Sequence, residues 1–299
     1  MTRQRQRDWL WAYLFLVPWA LGIIFLYGGP MIASLVIAFT KWDMITRPTW
    51  VGPSNFTHMF RDPAFYQALY NTGLYTVVSV PLQLAAALLV ALLLNQKVRG
   101  MKAYRTVFYL PSVMPTVAAT VVWMFIFNHD FGLVNHVLAL VHLPQPYWLT
   151  DPAWTKTTLV FLSVWMMGQP MVIFLAGLQD VPQGLYDAAR VDGAGTLAQF
   201  RHVTVPMITP TIFFNLIIGM IAAFQAFTQP YVLSGGSGDP GGSLLFYVMY
   251  IFNEAFEFFN MGYASALAWG LFIVILLLTL LNFVLARRWV HYEQPGGRW

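Results

Sequence analysis

Cysteine is absent from the 299-residue chain, which excludes disulfides, thiol nucleophiles and thiolate metal sites. Charge is scarce too. Asp, Glu, Lys and Arg make up only 9% of residues, against roughly 25% in a soluble domain. The formal net charge of +4 is too small to point to nucleic acid. None of the four lysines (Lys41, Lys97, Lys102, Lys156) follows a glycine, so the chain has no P-loop with which to cradle nucleotide phosphates. The six histidines fall in loops or at the edges of apolar runs without ligand spacing, and no metal site is expected. Asp187 and Asp192 are the nearest approach to a carboxylate pair, but no cleft-forming domain surrounds them. A membrane-embedded transferase therefore lacks its chemistry.

What is abundant is apolar surface: 58% of residues are hydrophobic and 17% aromatic, with a mean hydropathy of +0.61. This predicts an all-α, polytopic membrane protein, since lipid forces every backbone polar group into internal hydrogen bonds. A crossing needs about 20 apolar residues, and six runs qualify: 10–39, 67–94, 106–127, 157–178, 205–233 and 263–286. The first is about twice the length of a signal h-region and lacks a small-residue cleavage site, so it reads as a retained span. The expected organisation is a tail over 1–9, a six-helix domain over 10–286 and a tail over 287–299.

Basic residues set the orientation. With the N-terminus cytoplasmic, the inner segments carry Arg3, Arg5, Arg7, Lys97, Arg99, Lys102, Arg105, Arg190, Arg201, Arg287, Arg288 and Arg298, which is 12 of the 16. The outer segments keep Lys41, Arg47, Arg61 and Lys156 and hold most of the acids. Both termini are then cytoplasmic, the segment 180–206 faces inward and the loop 234–262 faces outward. Helix breakers sit in several spans: Pro18 and Gly22, Pro81, Pro111 and Pro115, Gly168 to Pro170, then Pro206 and Pro210. They fit either ordinary kinks or a pathway lined by bent helices. No run holds a charged residue or a histidine, whereas ion-coupled carriers keep such groups at depth. Transport through this chain needs an energy source on another polypeptide.

The inward segment reads "DVPQGLYDAARVDGAGTLAQFRHVTVP" from Asp180 to Pro206. Asp180 is expected to cap a short helix with Pro182 in its first turn and Leu185, Ala188 and Ala189 on one face. Gly193 and Gly195 supply the reversal. Thr196 then caps a second helix striped by Leu197, Phe200 and Val203, and Pro206 closes the segment. Two readings stand on spacing alone: a docking helix for another protein, or an interfacial loop lying at the headgroups.

This segment resembles the coupling motif of permease subunits of bacterial ATP-binding-cassette importers, Glu-Ala-Ala, then Gly, an apolar residue and Leu-Pro. Ala188, Ala189 and Gly193 match, Val203 replaces the usual isoleucine, and Val205-Pro206 stand for Leu-Pro. Asp187 replaces Glu and shortens the arm by one methylene. The likeness continues through "NTGLYTVVSVPLQLAAALLVALLLN" from Asn71, "YRTVFYLPSVMPTVAATVVWMFIF" from Tyr104, "FGLVNHVL" from Phe131, "FQAFTQPYVLSGG" from Phe224 and "MGYASAL" from Met261. It is similar to the six-span sugar-importer branch, with Thr228 where that branch usually has Asp.

The resemblance implies a type I importer permease fold in the bacterial inner membrane. It implies partners: a second permease, two cytoplasmic ATPase subunits holding ATP and Mg²⁺, and an extracytoplasmic solute-binding protein. This chain itself would bind no cofactor. Asp187, Ala188, Ala189, Asp192, Gly193, Phe200 and Pro206 would form the ATPase-coupling seat. Sugars are bound by aromatic faces and by amides or hydroxyls. The end of the fifth run, Phe224, Gln225, Thr228, Gln229 and Tyr231, is the expected carbohydrate site, with Gln225, Thr228 and Gln229 sharing one helical face; interhelical packing glue is the other reading of these amides. Asn128 is a further candidate, as is Gln169; Asn215 reads instead as interhelical packing glue. A self-sufficient facilitator would have no use for the segment 180–206.

Overall fold

The computed structural model describes residues 3–96 and 98–290, with side chains from Trp11 onward. Lys97, Arg298 and the rest of the tail from 291 lie outside the described residues, as do the side chains of Arg3, Arg5 and Arg7. Among the described residues the fold is helical apart from one two-residue ribbon. Four helical stretches are long and apolar enough to cross a membrane, and six if each of two bent pairs counts as one span. The chain forms two compact units.

The first unit comprises Met1–Asp62 with Ile251–Phe272. Helix α1 (Arg3–Gly22) passes through a wide π-type turn, Ile23–Gly28, into α2 (Gly29–Ala38). Pro30 explains the turn, because it has no N–H to donate and its ring excludes the carbonyl four residues back. Strand β1 (Thr40–Lys41) pairs antiparallel with β2 (Thr49–Trp50), Thr40 opposite Trp50. Helix α3 (Ser54–Met59) follows, and its Asn55 Nδ2 donates to the Ala38 and Thr40 carbonyls at 2.8 and 2.9 Å. Tyr263 donates its hydroxyl to Asp62 at 2.6 Å.

The second unit comprises Pro63–Tyr250 with Ile273–Trp299. Its axis is α4 (Pro63–Leu94), which runs unbroken through Pro81. Ala87 and Ala91, four residues apart and fully buried, open a small-residue face on α4. Lipid gives apolar helices no drive to associate, so such close approach is what packs them. Helix α5 (Met101–Tyr109) begins after Gly100, whose φ of +82° is left-handed. Arg105 reaches back to donate to the Leu94 carbonyl at 3.0 Å, a cation at the C-terminal end of α4.

The third run is not a straight span. Helix α5 and its 3₁₀ extension end at Val113, and α6 (Thr116–Ile126) leaves at 99°. Met114 and Pro115 between them are extended, the conformation that a residue before proline is driven into. Helix α7 (Leu133–Leu140) is a short element beyond it. The fourth run is also bent, by 45°, between α8 (Pro152–Trp165) and α9 (Gly168–Gln179). Pro170 fits this bend, since it leaves the Met166 carbonyl without its helical donor. Two short helices, α10 (Gln183–Val191) and α11 (Thr196–Gln199), form the segment between spans. After α12 (Val205–Met207), α13 (Thr209–Phe224) and α14 (Thr228–Ser234) replace the single fifth helix expected. Helix α15 (Tyr247–Phe252) precedes α16 (Met261–Ala286). The core gathers Leu84 from α4, Leu159 from α8, Met171 and Phe174 from α9 and Ala223 from α13.

The loop after α14 is built rather than loose. Gly235, Gly236, Gly238, Gly241 and Gly242 all have left-handed φ, and Leu244, Phe246 and Tyr247 are fully buried. Gln67, Asn71 and Thr72 of α4 hydrogen-bond its backbone, and Thr155 of α8 meets Ser243 at 2.8 Å.

Candidate functional site

Helix α10 is exposed over most of its length. It starts at extended Pro182 with no side-chain cap; Asp180, expected to cap it, instead closes the C-terminus of α9. Its end follows from the sequence. Gly193 has φ +81°, its N–H bonds the Arg190 carbonyl at 3.0 Å, and the Ala194 N–H bonds the Ala189 carbonyl at 2.8 Å. This is a Schellman stop, in which a left-handed glycine lets the last carbonyls find donors. The motif's Ala189 and Gly193 therefore have a local structural reason before any partner is considered. Gly195 has φ −72°, which any residue adopts, and it precedes α11 as its cap in place of Thr196.

The second leg is held to the first. Gln199 Nε2 donates to the Ala194 carbonyl at 2.8 Å, and the Tyr186 and Thr204 hydroxyls meet at 2.9 Å. From Phe200 to Thr204 the helix widens into a π-type turn before Pro206, for the reason given for Pro30. Pro206 lies in the first turn of α12, and Phe200 is half-buried. Asp187 forms an exposed ion pair with Arg190 at 3.0 Å, a geometry worth little in water. Ala188 and Asp192 are exposed and Ala189 half-buried. Three large apolar side chains stand free: Leu185 at 39%, Val191 at 88% and Leu197 at 79% exposure. The expected stripe of Leu197, Phe200 and Val203 is thus not a buried one.

The fifth run departs most from expectation. The helix stops at Phe224, Gln225 closes it with φ −96°, and Phe227 precedes the restart at Thr228. Gln225, Thr228 and Gln229 share no continuous helical face. Pro230 was the available signal: proline is tolerated in a first turn, so the helix restarts two residues before it. Phe224 is buried, Gln225 exposed, and Thr228, Gln229 and Tyr231 half-buried, with the Tyr231 ring 5.0 Å from Phe227. Asn128 is occupied locally: its Oδ1 accepts from the Asp130 and Phe131 backbones at 2.9 and 3.3 Å, forming an Asx-turn.

A polar cavity of about 190 Å³ lies elsewhere among these helices. Gln83 of α4, Ser112 of the bend, Gln169 of α9 and Asn215 of α13 contribute its polar wall; of the expected sugar contacts Gln169 lines it, whereas Phe224, Gln225, Thr228, Gln229, Tyr231 and Asn128 do not. Gln83 donates to the Ser163 carbonyl at 2.8 Å. Asn215 is 4% exposed, and its Nδ2 has no partner among the described residues. No interhelical hydrogen bond from this Nδ2 forms among the described residues. A buried amide donor left unpaired costs about 1–3 kcal/mol, and this one belongs to a residue that lines the cavity. Gly168 permits the wall: an added Cβ would lie 2.8 Å from Ser112 Oγ and 3.0 Å from the Phe108 carbonyl.

Comparison with known proteins agrees with this architecture. A family model described as "Binding-protein-dependent transport system inner membrane component" matches residues 83–291. The probable ABC transporter permease protein YesP of Bacillus subtilis (strain 168) is 42% identical over 295 residues, 98% of this chain and 95% of that one. The lactose transport system permease protein LacF of Rhizobium radiobacter is 33% identical, covering 92% and 94%. Among solved structures, a chain of the bacterial alginate ABC transporter in complex with alginate pentasaccharide-bound periplasmic protein superposes with a TM-score of 0.82 at 25% identity, covering 96% of both. A helical, multi-pass chain with a Schellman-stopped helix between its spans thus belongs to the binding-protein-dependent transport system inner membrane component family, the permease subunits of ABC transporters.

Proposed function

We propose that this chain is one membrane-spanning half of an importer that receives a carbohydrate from a solute-binding protein and passes it inward by alternating access. Its partners are a second permease and two ATPase subunits, which carry ATP and Mg²⁺; the chain itself holds no cofactor. Both termini and α10 face the cytoplasm of a bacterial cell, and the glycine-rich loop faces outward, as the distribution of basic residues supports. The relatives named for lactose and alginate support the carbohydrate class. So does the cavity, whose amides match sugar hydroxyls as donors and acceptors.

The observation that carries the reading is the rigid, uncovered α10. Leu185, Val191 and Leu197 present apolar surface to water that a groove on an ATPase subunit would cover. The seat comprises Asp187, Ala188, Ala189, Asp192 and Gly193, with Phe200 and Pro206 on the return leg. The Gly193 stop and the Tyr186–Thr204 bridge make the segment move as one piece. Its return leg runs through α12 into α13, which carries Asn215 at the cavity wall. Displacement of α10 by closing ATPase subunits is thereby delivered to the sugar-facing wall.

The test is cross-linking from Ala188→Cys in native vesicles, combined with uptake by proteoliposomes. Capture of a nucleotide-hydrolysing subunit and ATP-dependent uptake are expected. Full-rate sugar movement by this chain alone, without ATP, would make it a facilitator and end the proposal.

A further inference from the structure

The first unit contains a larger cavity of its own, about 570 Å³, within the roughly 300–1,000 Å³ typical of small-ligand sites. It opens between the loop joining β1 to β2, helix α3 and the turn that leads into α16. Both walls are fixed by hydrogen bonds. Asp43 Oδ1 accepts from the Ile45 and Thr46 backbones at 3.0 and 2.7 Å and from the Thr46 hydroxyl at 2.8 Å. Trp42 Nε1 donates to the Thr46 carbonyl at 2.9 Å. Opposite, Asn260 binds Glu254 twice, backbone to backbone at 2.7 Å and Nδ2 to Oε2 at 2.9 Å. Gly262 is required for this packing, because a Cβ there would collide with the Thr40 carbonyl.

Two features of the lining point to a ligand. Phe259 has φ +56°, a conformation that bulky residues rarely adopt and that collects at functional sites. The residue is nonetheless 47% exposed and lines the cavity, so the strain is not offset by burial. The second feature is an imbalance of satisfied charge. The acids of the lining, Asp43 and Glu254, are engaged by their own turns. Lys41 and Arg47 have no carboxylate within 4 Å, since the ion pair among the described residues is Asp187–Arg190.

We propose that this cavity is a reception site for an acidic sugar, with the Phe259 face stacking on the pyranose C–H surface and Lys41 and Arg47 taking its carboxylate. Aromatic faces serve sugars through their apolar C–H side, and Arg binds a carboxylate bidentately where Lys acts as a point charge. The proposal rests on the carbohydrate reading above and narrows it to sugars bearing a carboxylate. It concerns a site separate from the amide-lined cavity of the second unit.

The experiment is calorimetric titration of the full-length chain in lipid nanodiscs with digalacturonate and with its neutral counterpart galactobiose. Digalacturonate is expected to bind at least tenfold more tightly in low salt. Arg47→Gln and Lys41→Gln should each weaken digalacturonate at least fivefold and leave galactobiose unchanged. Phe259→Asn, which tolerates left-handed φ and so keeps the fold, should weaken both sugars without lowering the thermal midpoint. Equal affinity for the two sugars, or variants that bind digalacturonate like the parent, would overturn the proposal. So would displacement by sodium acetate at the concentration at which digalacturonate itself binds. ATP-dependent uptake of a panel of neutral and acidic disaccharides by the assembled importer separates the two readings. Uptake with a flat digalacturonate titration removes the reception site alone, whereas absence of any sugar uptake removes the carbohydrate reading beneath it.

Discussion

The Asn71 side chain donates to the Gly242 carbonyl at 2.8 Å across 171 positions of sequence. Its second bond, to the Leu245 carbonyl at 3.0 Å, completes a clamp that fixes the glycine-rich loop on α4. Asn71→Leu keeps the side chain's size but leaves two carbonyls unsatisfied, at roughly 1–3 kcal/mol. Protease nicking between Gly235 and Ser243 should accelerate at least tenfold with helix content unchanged. Equal resistance of parent and variant would show that the loop holds itself.

Gly193 meets no atom within 4 Å of an added Cβ, so substitution there is a matter of φ alone. A left-handed L-residue costs about 1–2 kcal/mol. Gly193→Leu should insert normally but lose most ATP-driven uptake, and Gly193→Asn should keep more of it. Uptake and ATPase rate measured in the same proteoliposomes decide this. Normal coupling in the Leu variant would remove the stop from the mechanism.

Asn215→Leu removes a buried donor that has no partner among the described residues. Its thermal midpoint should hold or rise, because an apolar replacement discards an unsatisfied group. Sugar uptake should fall at least tenfold, as it should for Gln169→Leu. A destabilised Asn215 variant would mean the amide is paired in the assembled importer, and unchanged uptake in both would separate the cavity from transport.

Gln225→Leu probes the break in the fifth run. Gln225 is exposed at the C-terminus of α13 and apart from the cavity wall. ATPase assembly should be intact by co-purification, while uptake changes if the 224–231 segment meets sugar at another stage of the cycle. Parent-like uptake would assign these amides to structure.

Asp43 titrates in a range set by its loop. The Thr46 backbone N–H, then the Thr46 hydroxyl, hold its carboxyl below the usual carboxylate range. A depressed folded value means that its contribution is complete above about pH 4 and is lost as pH falls through the lowered value. Hydrogen exchange at Ile45 and Thr46 should be flat in pH-corrected rate from pH 8 to 5 and quicken only below 4. Quickening near pH 6 would implicate another group.

Much of the fold was legible because lipid simplifies the code. The second and sixth spans match their apolar runs to within a few residues, since a helix is the one way to satisfy an isolated backbone there. The Gly193 stop was legible as well, being local: one residue without a Cβ frees one turn. In the third run Pro111 and Pro115 mark a break, but whether it is a slight kink or a sharp turn is not local information: extended Met114 and Pro115 turn the chain by 99°. In the fifth run, Pro230 carried a signal that hydropathy averages away.

By itself the sequence determined the number of apolar runs, the position of the polar elbow between them and the absence of a P-loop. These depend on composition and on residues adjacent in the chain. Tertiary structure alone decided which amides were paired. Asn128 closes its own turn and Asn71 clamps a loop, while Asn215, with the same side chain, faces a cavity with its Nδ2 unpaired. A hydrogen bond needs a partner at about 3 Å, and which partner arrives is set by how distant helices bend and cross.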